Sequence, residues 1–95
     1  MIRSFRDKET EAIFNGQHSR KFGNIERIAL RKLIHVNQAR SLQDLAILPG
    51  NNLKALSRNR KGQHSIRIND QYRICFTWKD AEGAFDVEIT DYHDE

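Results

Sequence analysis

Ninety-five residues, 38% of them hydrophobic, can bury one compact core, which argues against a second domain or an enclosed ligand chamber. We therefore predict a single domain over residues 1–95, with any active site on its surface. The formal net charge is +3, and no apolar stretch has the length of a signal peptide or a membrane span, so we expect a cytoplasmic protein without membrane contact.

The N-terminal half of the chain predicts helices. Residues 2–5 can form a short first strand, and residues 7–15 read as a short helix with an aspartate cap and an Asn-Gly stop. Apolar side chains at helical spacing over residues 22–36 predict an amphipathic helix of roughly five turns. Capping-box spacing at residues 41–44 predicts a brief third helix that ends before a Pro-Gly pair.

From His64 onward the apolar residues recur with a period of two, which is typical of strands. Residues 64–68 and 72–78 are predicted to form a hairpin across an Asn-Asp turn, and residues 85–90 a final strand. Helices followed by a largely antiparallel sheet predict an α+β fold, with one sheet face against the helices and the other bare.

The same alternation assigns side chains to the two faces of the sheet, if no bulge shifts the register. The face towards the helices is predicted to carry Ile66, Ile68, Ile74, Phe76, Trp78, Phe85, Val87 and Ile89. The opposite face is predicted to carry Arg67, Arg73, Thr77, Glu88 and Tyr92. Burying an arginine is costly, so Arg73 needs either an anion such as phosphate or a carboxylate from Glu88 or Asp86.

Positive charge is concentrated in twenty residues in the second half of the chain. Six basic side chains stand against the single acid Asp70, a net charge of +5, and they are Lys54, Arg58, Arg60, Lys61, Arg67 and Arg73. This concentration favours a polyanionic partner, because phosphate contacts usually dominate the affinity of proteins for nucleic acids. The alternative is a basic loop that is simply solvated.

The sequence Asp91-Tyr92-His93 places three proton-handling groups at the end of the last predicted strand. Histidine, with a reference pKa of about 6.5, can both accept and donate a proton near neutrality. Metal-free RNA cleavage needs a base for the 2′-hydroxyl, positive charge at the phosphate and an acid for the leaving oxygen. These residues and the nearby arginines can supply all three, although the same run can also be a polar tail.

Cofactor and metal chemistry have little support in the sequence. Cys75 is the only cysteine, which excludes internal disulfides and cysteine-rich zinc sites, and its apolar surroundings indicate a core residue. The histidines lack zinc-ligand spacing, and Asp86 with Glu88 would need further ligands to bind a divalent ion. We therefore expect neither a metal nor an organic cofactor.

Four segments carry a resemblance to a known family: MIRSF at residues 1–5, PGNNLKAL at 49–56, RKGQHSIRINDQYRICF at 60–76 and DYH at 91–93. Together they closely resemble the HigB toxins of the RelE/ParE superfamily. The likeness covers essentially the whole chain. It is most specific in the second half, where a Gly-x-x-Ser-Ile strand, an aromatic-Arg strand and a terminal Asp-Tyr-His follow in the right order.

The resemblance implies a compact RelE/ParE-like domain, with N-terminal helices packed on a curved sheet. It also implies a bacterial toxin that enters the ribosomal A site and cleaves mRNA there. Its partners would be the ribosome, mRNA and a helix-turn-helix antitoxin of HigA type, with contact to a DNA operator only through the antitoxin complex. The family's catalytic positions fall on Asp91, Tyr92, His93 and Arg73, and the other basic residues of 54–67 are expected to bind RNA.

Some positions depart from the family pattern. Lys54 stands where some members have histidine, and it can neutralise phosphate but is a poor base near neutrality. Arg58 replaces a usual glycine, so it either strains the turn or adds a phosphate contact. Asp94 and Glu95 extend beyond the usual end and can tune or obstruct His93. Two alternatives therefore stay open, a ParE-like inhibitor of DNA gyrase that does not cut RNA and a toxin that only binds.

Overall fold

The computed structural model describes residues 1–91, and it confirms the predicted α+β, RelE-like fold. Three helices precede an antiparallel four-stranded sheet in the order β1-β2-β3-β4 within this range. The helices are α1 (Lys8–Phe14), α2 (Glu26–Gln38) and α3 (Leu42–Ala46). The strands are β1 (Lys54–Ala55), β2 (Gln63–Arg67), β3 (Tyr72–Lys79) and β4 (Gly83–Asp91).

Two of the helices begin where their capping residues predict. The Asp7 carboxylate accepts a hydrogen bond from the backbone N–H of Thr10 at 2.7 Å, and the Ser41 hydroxyl accepts one from Asp44 at 3.3 Å. The long helix is shorter than its apolar spacing predicts. Gly23–Ile25 form a 3₁₀ turn and α2 begins only at Glu26, because glycine and asparagine are poor formers of helix interiors.

The N-terminal segment is not the regular strand that residues 2–5 predict. Ile2 and Phe5 instead form two isolated parallel bridges, to Ala84 and Val87 of β4. The segment therefore covers part of the outer edge of β4 without forming a continuous ladder. Covering an edge in this way removes unpaired backbone groups from solvent.

A β-bulge in β4 overturns one face assignment. Cys75 pairs with Glu88 while Thr77 pairs with Phe85, so β4 contains one residue more than β3, and Asp86 takes a φ of +53° there. Phe85 consequently lies opposite Thr77, on the face away from the helices, and the prediction that it faces them is wrong. Its ring lies 4.5 Å from the ammonium of Lys79.

The hydrophobic core lies between the helices and one face of the sheet, as predicted. Its fully buried members come from both layers and include Leu33 and Val36 on α2, Leu45 on α3, and Ile66, Ile74, Phe76 and Val87 on the strands. None of the helices among residues 1–91 is both long enough and apolar enough to cross a membrane.

Candidate functional site

Arg73 is the most deeply buried charged residue of the sheet. It pairs with Arg67 on β2 and with Thr90 on β4, so it lies on the face away from the core, as predicted. Only 1% of it is exposed. Its Nε donates to the Ser65 hydroxyl at 2.7 Å, and its Nη2 donates to the carbonyl oxygen of Asn52 at 2.8 Å. These two bonds fix the plane of the guanidinium group.

The loop before β1 supplies the carbonyl that holds Arg73. Asn52 has a φ of +46°, a left-handed conformation that asparagine tolerates better than most residues. The preceding residue, Asn51, is fully buried, and its carbonyl oxygen accepts the backbone N–H of Arg67 at 2.7 Å. The loop is thereby attached to the strand that adjoins Arg73.

Lys54 lies on the same sheet face as Arg73. It pairs with Ser65 in the β1–β2 register, and cross-strand partners share a face. We call the sheet face that carries Lys54, Arg67 and Arg73 the basic face. Lys54 is exposed, whereas the guanidinium of Arg67 forms an ion pair with Asp70 in the turn between β2 and β3.

The turn at residues 58–61, called here the basic turn, contains the other three predicted RNA-binding residues. Arg58 has a φ of +56°, so the strain inferred from its replacement of glycine is present. Arg58 and Lys61 are exposed. Arg60 is half-buried, and its Nη1 donates to Gln63 at 3.1 Å and to Glu88 at 3.2 Å.

Glu88 is the acidic member of this neighbourhood. One of its carboxylate oxygens lies 3.2 Å from the guanidinium of Arg60 and 3.3 Å from that of Arg6. The sequence offered Glu88 as a partner for Arg73, but the register places Cys75 opposite it. Glu88 therefore neutralises part of the charge of Arg60 and Arg6.

Asp91 ends β4, opposite Tyr72. Its carboxylate accepts a hydrogen bond from the Gln71 side chain at 3.0 Å. Strand alternation places Asp91 on the opposite face from Thr90 and Arg73. The other two predicted catalytic residues, Tyr92 and His93, lie outside the described residues, as do Asp94 and Glu95.

A cleft of about 240 Å³ opens beside Asp91, at the outer edge of β4. It is lined by Lys21, Phe22, Arg60, Tyr72, Glu88, Ile89, Thr90 and Asp91. Lys21 was not singled out from the sequence, because nothing in its spacing links it to a strand more than sixty residues away. Among residues 1–91, no three His, Cys, Asp or Glu side chains are grouped so that they could hold a metal ion.

A family model described as the RelE-like toxin HigB of type II toxin–antitoxin systems matches residues 3–93. The chain belongs to this HigB toxin family. It is 38% identical over 83 residues to Toxin HigB-1 of Vibrio cholerae serotype O1, covering 85% of this chain and 87% of that protein. It is also 29% identical over 69 residues to an uncharacterized protein of Haemophilus influenzae, covering 73% and 68% of the two chains.

Membership in the HigB family implies an antitoxin partner, since a type II system pairs a protein toxin with its antitoxin. The described residues divide the cations of this HigB-family toxin into two groups. Arg73 is buried and fixed by hydrogen bonds, whereas Lys54, Arg58 and Lys61 are exposed. The first group has a fixed orientation, and the second can attract a polyanion over a longer range.

One further cation is buried, although it lies on the amphipathic helix α2, where lysines usually face solvent. Lys32 is only 5% exposed. Burial, reinforced by the charges of Arg31 and Arg67, lowers the pKa of Lys32 below its ordinary value. The helical spacing alone could not reveal this, because the loop at residues 50–52 covers that side of α2.

Proposed function

We propose that this HigB-family toxin is an endoribonuclease that cleaves mRNA in the ribosomal A site. The observation that supports this most directly is the fixed guanidinium of Arg73, buried beside exposed cations on one face of the sheet. A donor held in place before the reaction stabilises developing charge without reorganising.

The reaction would proceed by acid–base catalysis on the RNA itself. A base removes the proton of the 2′-hydroxyl, the 2′-oxygen attacks the adjacent phosphorus, and the bond from phosphorus to the 5′-oxygen breaks as an acid protonates that oxygen. We assign the proton transfers to His93 with Tyr92, and the stabilisation of the phosphate to Arg73. Asp91 would orient His93 or the strand end. The products are a 2′,3′-cyclic phosphate and a free 5′-hydroxyl.

The exposed cations would bind the RNA around the scissile bond. Lys54 shares the face of Arg73, while Arg58 and Lys61 lie in the basic turn. Arg60 and Arg67 would contribute after exchanging their carboxylate partners, Glu88 and Asp70, for phosphates. These residues are suited to phosphate contacts, which give affinity but do not read the sequence.

The ribosome would supply the in-line geometry of the attack. Correct positioning of reacting groups can account for several kcal/mol of a barrier, and so small a surface site is poorly equipped to bend a free RNA chain. We therefore expect poor cleavage of naked RNA and efficient cleavage of translated mRNA. We further propose a HigA-like helix-turn-helix antitoxin, operator DNA contact only through that complex, and action in the cytoplasm.

Primer extension on cellular mRNA after induction tests this proposal. The parent chain should produce cuts within translated regions, and His93→Ala should abolish them, whereas Arg27→Ala on the far side of α2 should leave them unchanged. Plasmid supercoiling is measured in the same cells. Intact mRNA with collapsing supercoiling would overturn the nuclease proposal in favour of a gyrase inhibitor, and intact mRNA without growth arrest would indicate a toxin that only binds.

A further inference from the structure

Lys32 carries a charge where α2 packs against the rest of the molecule. Its Nζ donates a hydrogen bond to the side-chain oxygen of Asn51 at 2.6 Å, and no carboxylate among residues 1–91 lies within ion-pair distance of it. Burying an ammonium without a countercharge is costly, and a methionine of similar length would fill the space without that cost. Packing therefore does not explain a lysine at this position.

The acceptor of this bond, Asn51, is held on several sides. Its side-chain amide donates to the carbonyl oxygen of Leu45 at 3.1 Å, and its backbone N–H donates to Leu48 at 3.3 Å. Its own carbonyl oxygen accepts from Arg67 at 2.7 Å. Asn51 thus joins the end of α3, the end of β2 and, through Lys32, the middle of α2.

The residue that follows connects this junction to the candidate site. Asn52 presents its carbonyl oxygen to the Nη2 of Arg73 at 2.8 Å, while holding a left-handed backbone conformation. The orientation of that carbonyl depends on where Asn51 is held, since the two residues are adjacent. A continuous path therefore runs from the ammonium of Lys32 through Asn51 and Asn52 to the guanidinium of Arg73.

We propose that Lys32 is a positioning residue for Arg73: its ammonium holds the Asn51–Asn52 segment so that the carbonyl of Asn52 orients the guanidinium. A charge-assisted hydrogen bond is shorter and stronger than a neutral one, which is what a single side chain needs to fix a loop. The expected effect of Lys32 on cleavage rests on the proposed nuclease function. Its expected effect on the orientation of Arg73 does not depend on that function.

The first experiment compares Lys32→Met with the parent and with Asn37→Ala. Asn37 is a suitable control because it lies on the same helix and also uses its side-chain oxygen to hold another segment, the backbone N–H of Ile2 at 2.9 Å. NMR of the arginine side chains should show a shifted Nε–H resonance for Arg73 and faster exchange of the Arg67 amide in Lys32→Met only. Unchanged resonances for both would overturn the proposal.

Cleavage on programmed ribosomes gives the second readout. Because a misplacement of about 1 Å can cost roughly a hundredfold, we expect kcat to fall about ten- to a hundredfold in Lys32→Met while KM stays within about twofold. Circular dichroism confirms that both variants are folded at the assay temperature. A parent that cuts mRNA and a folded Lys32→Met that cuts it equally well would overturn the proposal. A parent that does not cut would instead overturn the nuclease function.

A titration of the parent chain keeps the proposal testable even if Lys32→Met fails to fold. Lys32 is surrounded by Arg31, His35 and Arg67, and burial lowers the pKa of His35 below its ordinary value. As the pH rises and the ammonium loses its proton, the carbon-13 resonance of the Arg73 guanidinium should move with the same midpoint as the Lys32 side chain. An Arg73 resonance that does not follow Lys32 would contradict the coupling.

Discussion

The buried and the exposed cations of this protein follow different physical rules. Arg73 and Lys32 are almost fully buried, and each is held by hydrogen bonds to the loop at residues 51–52. Arg58 and Lys61 project from the basic turn into solvent. Buried donors act through orientation in a medium of low polarity, whereas exposed ones act through a field that salt screens.

Net charge combines two contributions that differ in this protein: the attraction of a polyanion and the orientation of a single cation. A segment with a charge of +5 predicts affinity for polyanions, but it does not say which cation can be oriented for chemistry. In this fold the cation with a fixed orientation is Arg73, whose strand is covered by a loop. The cations that can attract a polyanion lie in the basic turn and, in the case of Lys54, on the short strand β1. Variants of the two groups should therefore change different measured quantities.

The largest effect is expected at Arg73. Arg73→Ala should slow cleavage by about 10²-fold or more, the cost of removing one donor to a charged transition state. Arg73→Lys should recover only part of that loss, because an ammonium lacks the planar fork that spans Ser65 and Asn52. Single-turnover cleavage on ribosomes measures both variants, and circular dichroism checks their folding. Parental rates in a folded Arg73→Ala would remove Arg73 from the catalytic assignment.

A smaller effect of a different kind is expected in the basic turn. The double variant Arg58→Ala/Lys61→Ala should weaken binding to single-stranded RNA and reduce the slope of log affinity against log salt by about 1.4, since each phosphate contact contributes about 0.7. The rate at saturation should hardly change. Titrations from about 50 to 200 mM salt measure the slope. The control Lys8→Ala/Arg27→Ala removes the same charge from two helices, and an equal change of slope there would show a net-charge effect only.

Features that depend on neighbouring residues could be predicted from the sequence, whereas contacts between distant segments could not. The caps at Asp7 and Ser41 are local, so the starts of α1 and α3 were predicted correctly. The order of helices and strands and most of the core followed from periodicity. The family resemblance identified Arg73, but nothing in the spacing indicated that Asn52 and Ser65 would be its hydrogen-bond partners, because those contacts depend on how distant segments pack.

Two further features, a bulge in β4 and the burial of Lys32, could not be predicted from local sequence patterns. The bulge at Asp86 shifts the alternation of β4 by one residue, and no glycine marks it, so Phe85 was assigned to the wrong face. The burial of Lys32 depends on a loop almost twenty residues later in the chain. From amphipathic spacing alone, a lysine is expected to be exposed to solvent. The catalytic roles of Arg73, Asp91, Tyr92 and His93 stay predictions.

Glu88 allows a test of whether its ion pairs with Arg60 and Arg6 limit RNA binding. Its carboxylate holds Arg60 and Arg6, so Glu88→Gln should release both guanidinium groups and tighten RNA binding by a few-fold. Glu11→Gln on α1 removes the same charge at an exposed site and serves as the control. Equal effects of the two variants in a salt titration would mean that Glu88 acts through net charge, and weaker binding by Glu88→Gln would mean that the ion pairs hold Arg60 ready for phosphate.

The half-buried His35 should also give the protein a pH dependence. Burial first, and then the charges of Lys32 and Arg31, lower the pKa of His35, so the unfolded chain binds this proton more readily than the folded one. The free energy of unfolding should therefore fall as the pH drops from about 6.5 through the lowered pKa. His35→Leu should flatten that part of the curve in urea titrations. An equally steep curve for His35→Leu would assign the acid sensitivity to other groups.

The smallest effect concerns the backbone of the basic turn. Arg58 has a φ of +56°, which costs an ordinary residue about 1–2 kcal/mol, while glycine adopts it freely but gives back about 0.5–1 kcal/mol in chain entropy. Arg58→Gly should therefore raise the free energy of unfolding by up to about 1.5 kcal/mol while weakening RNA binding. Asn59→Gly is the matched control, because φ at Asn59 is not positive, and it should lower stability by about 0.5–1 kcal/mol. If Arg58→Gly gains stability and keeps full RNA affinity, the arginine adds no phosphate contact. Arg58 would then belong with neither group, since it would carry the strain of a turn without the binding that offsets it.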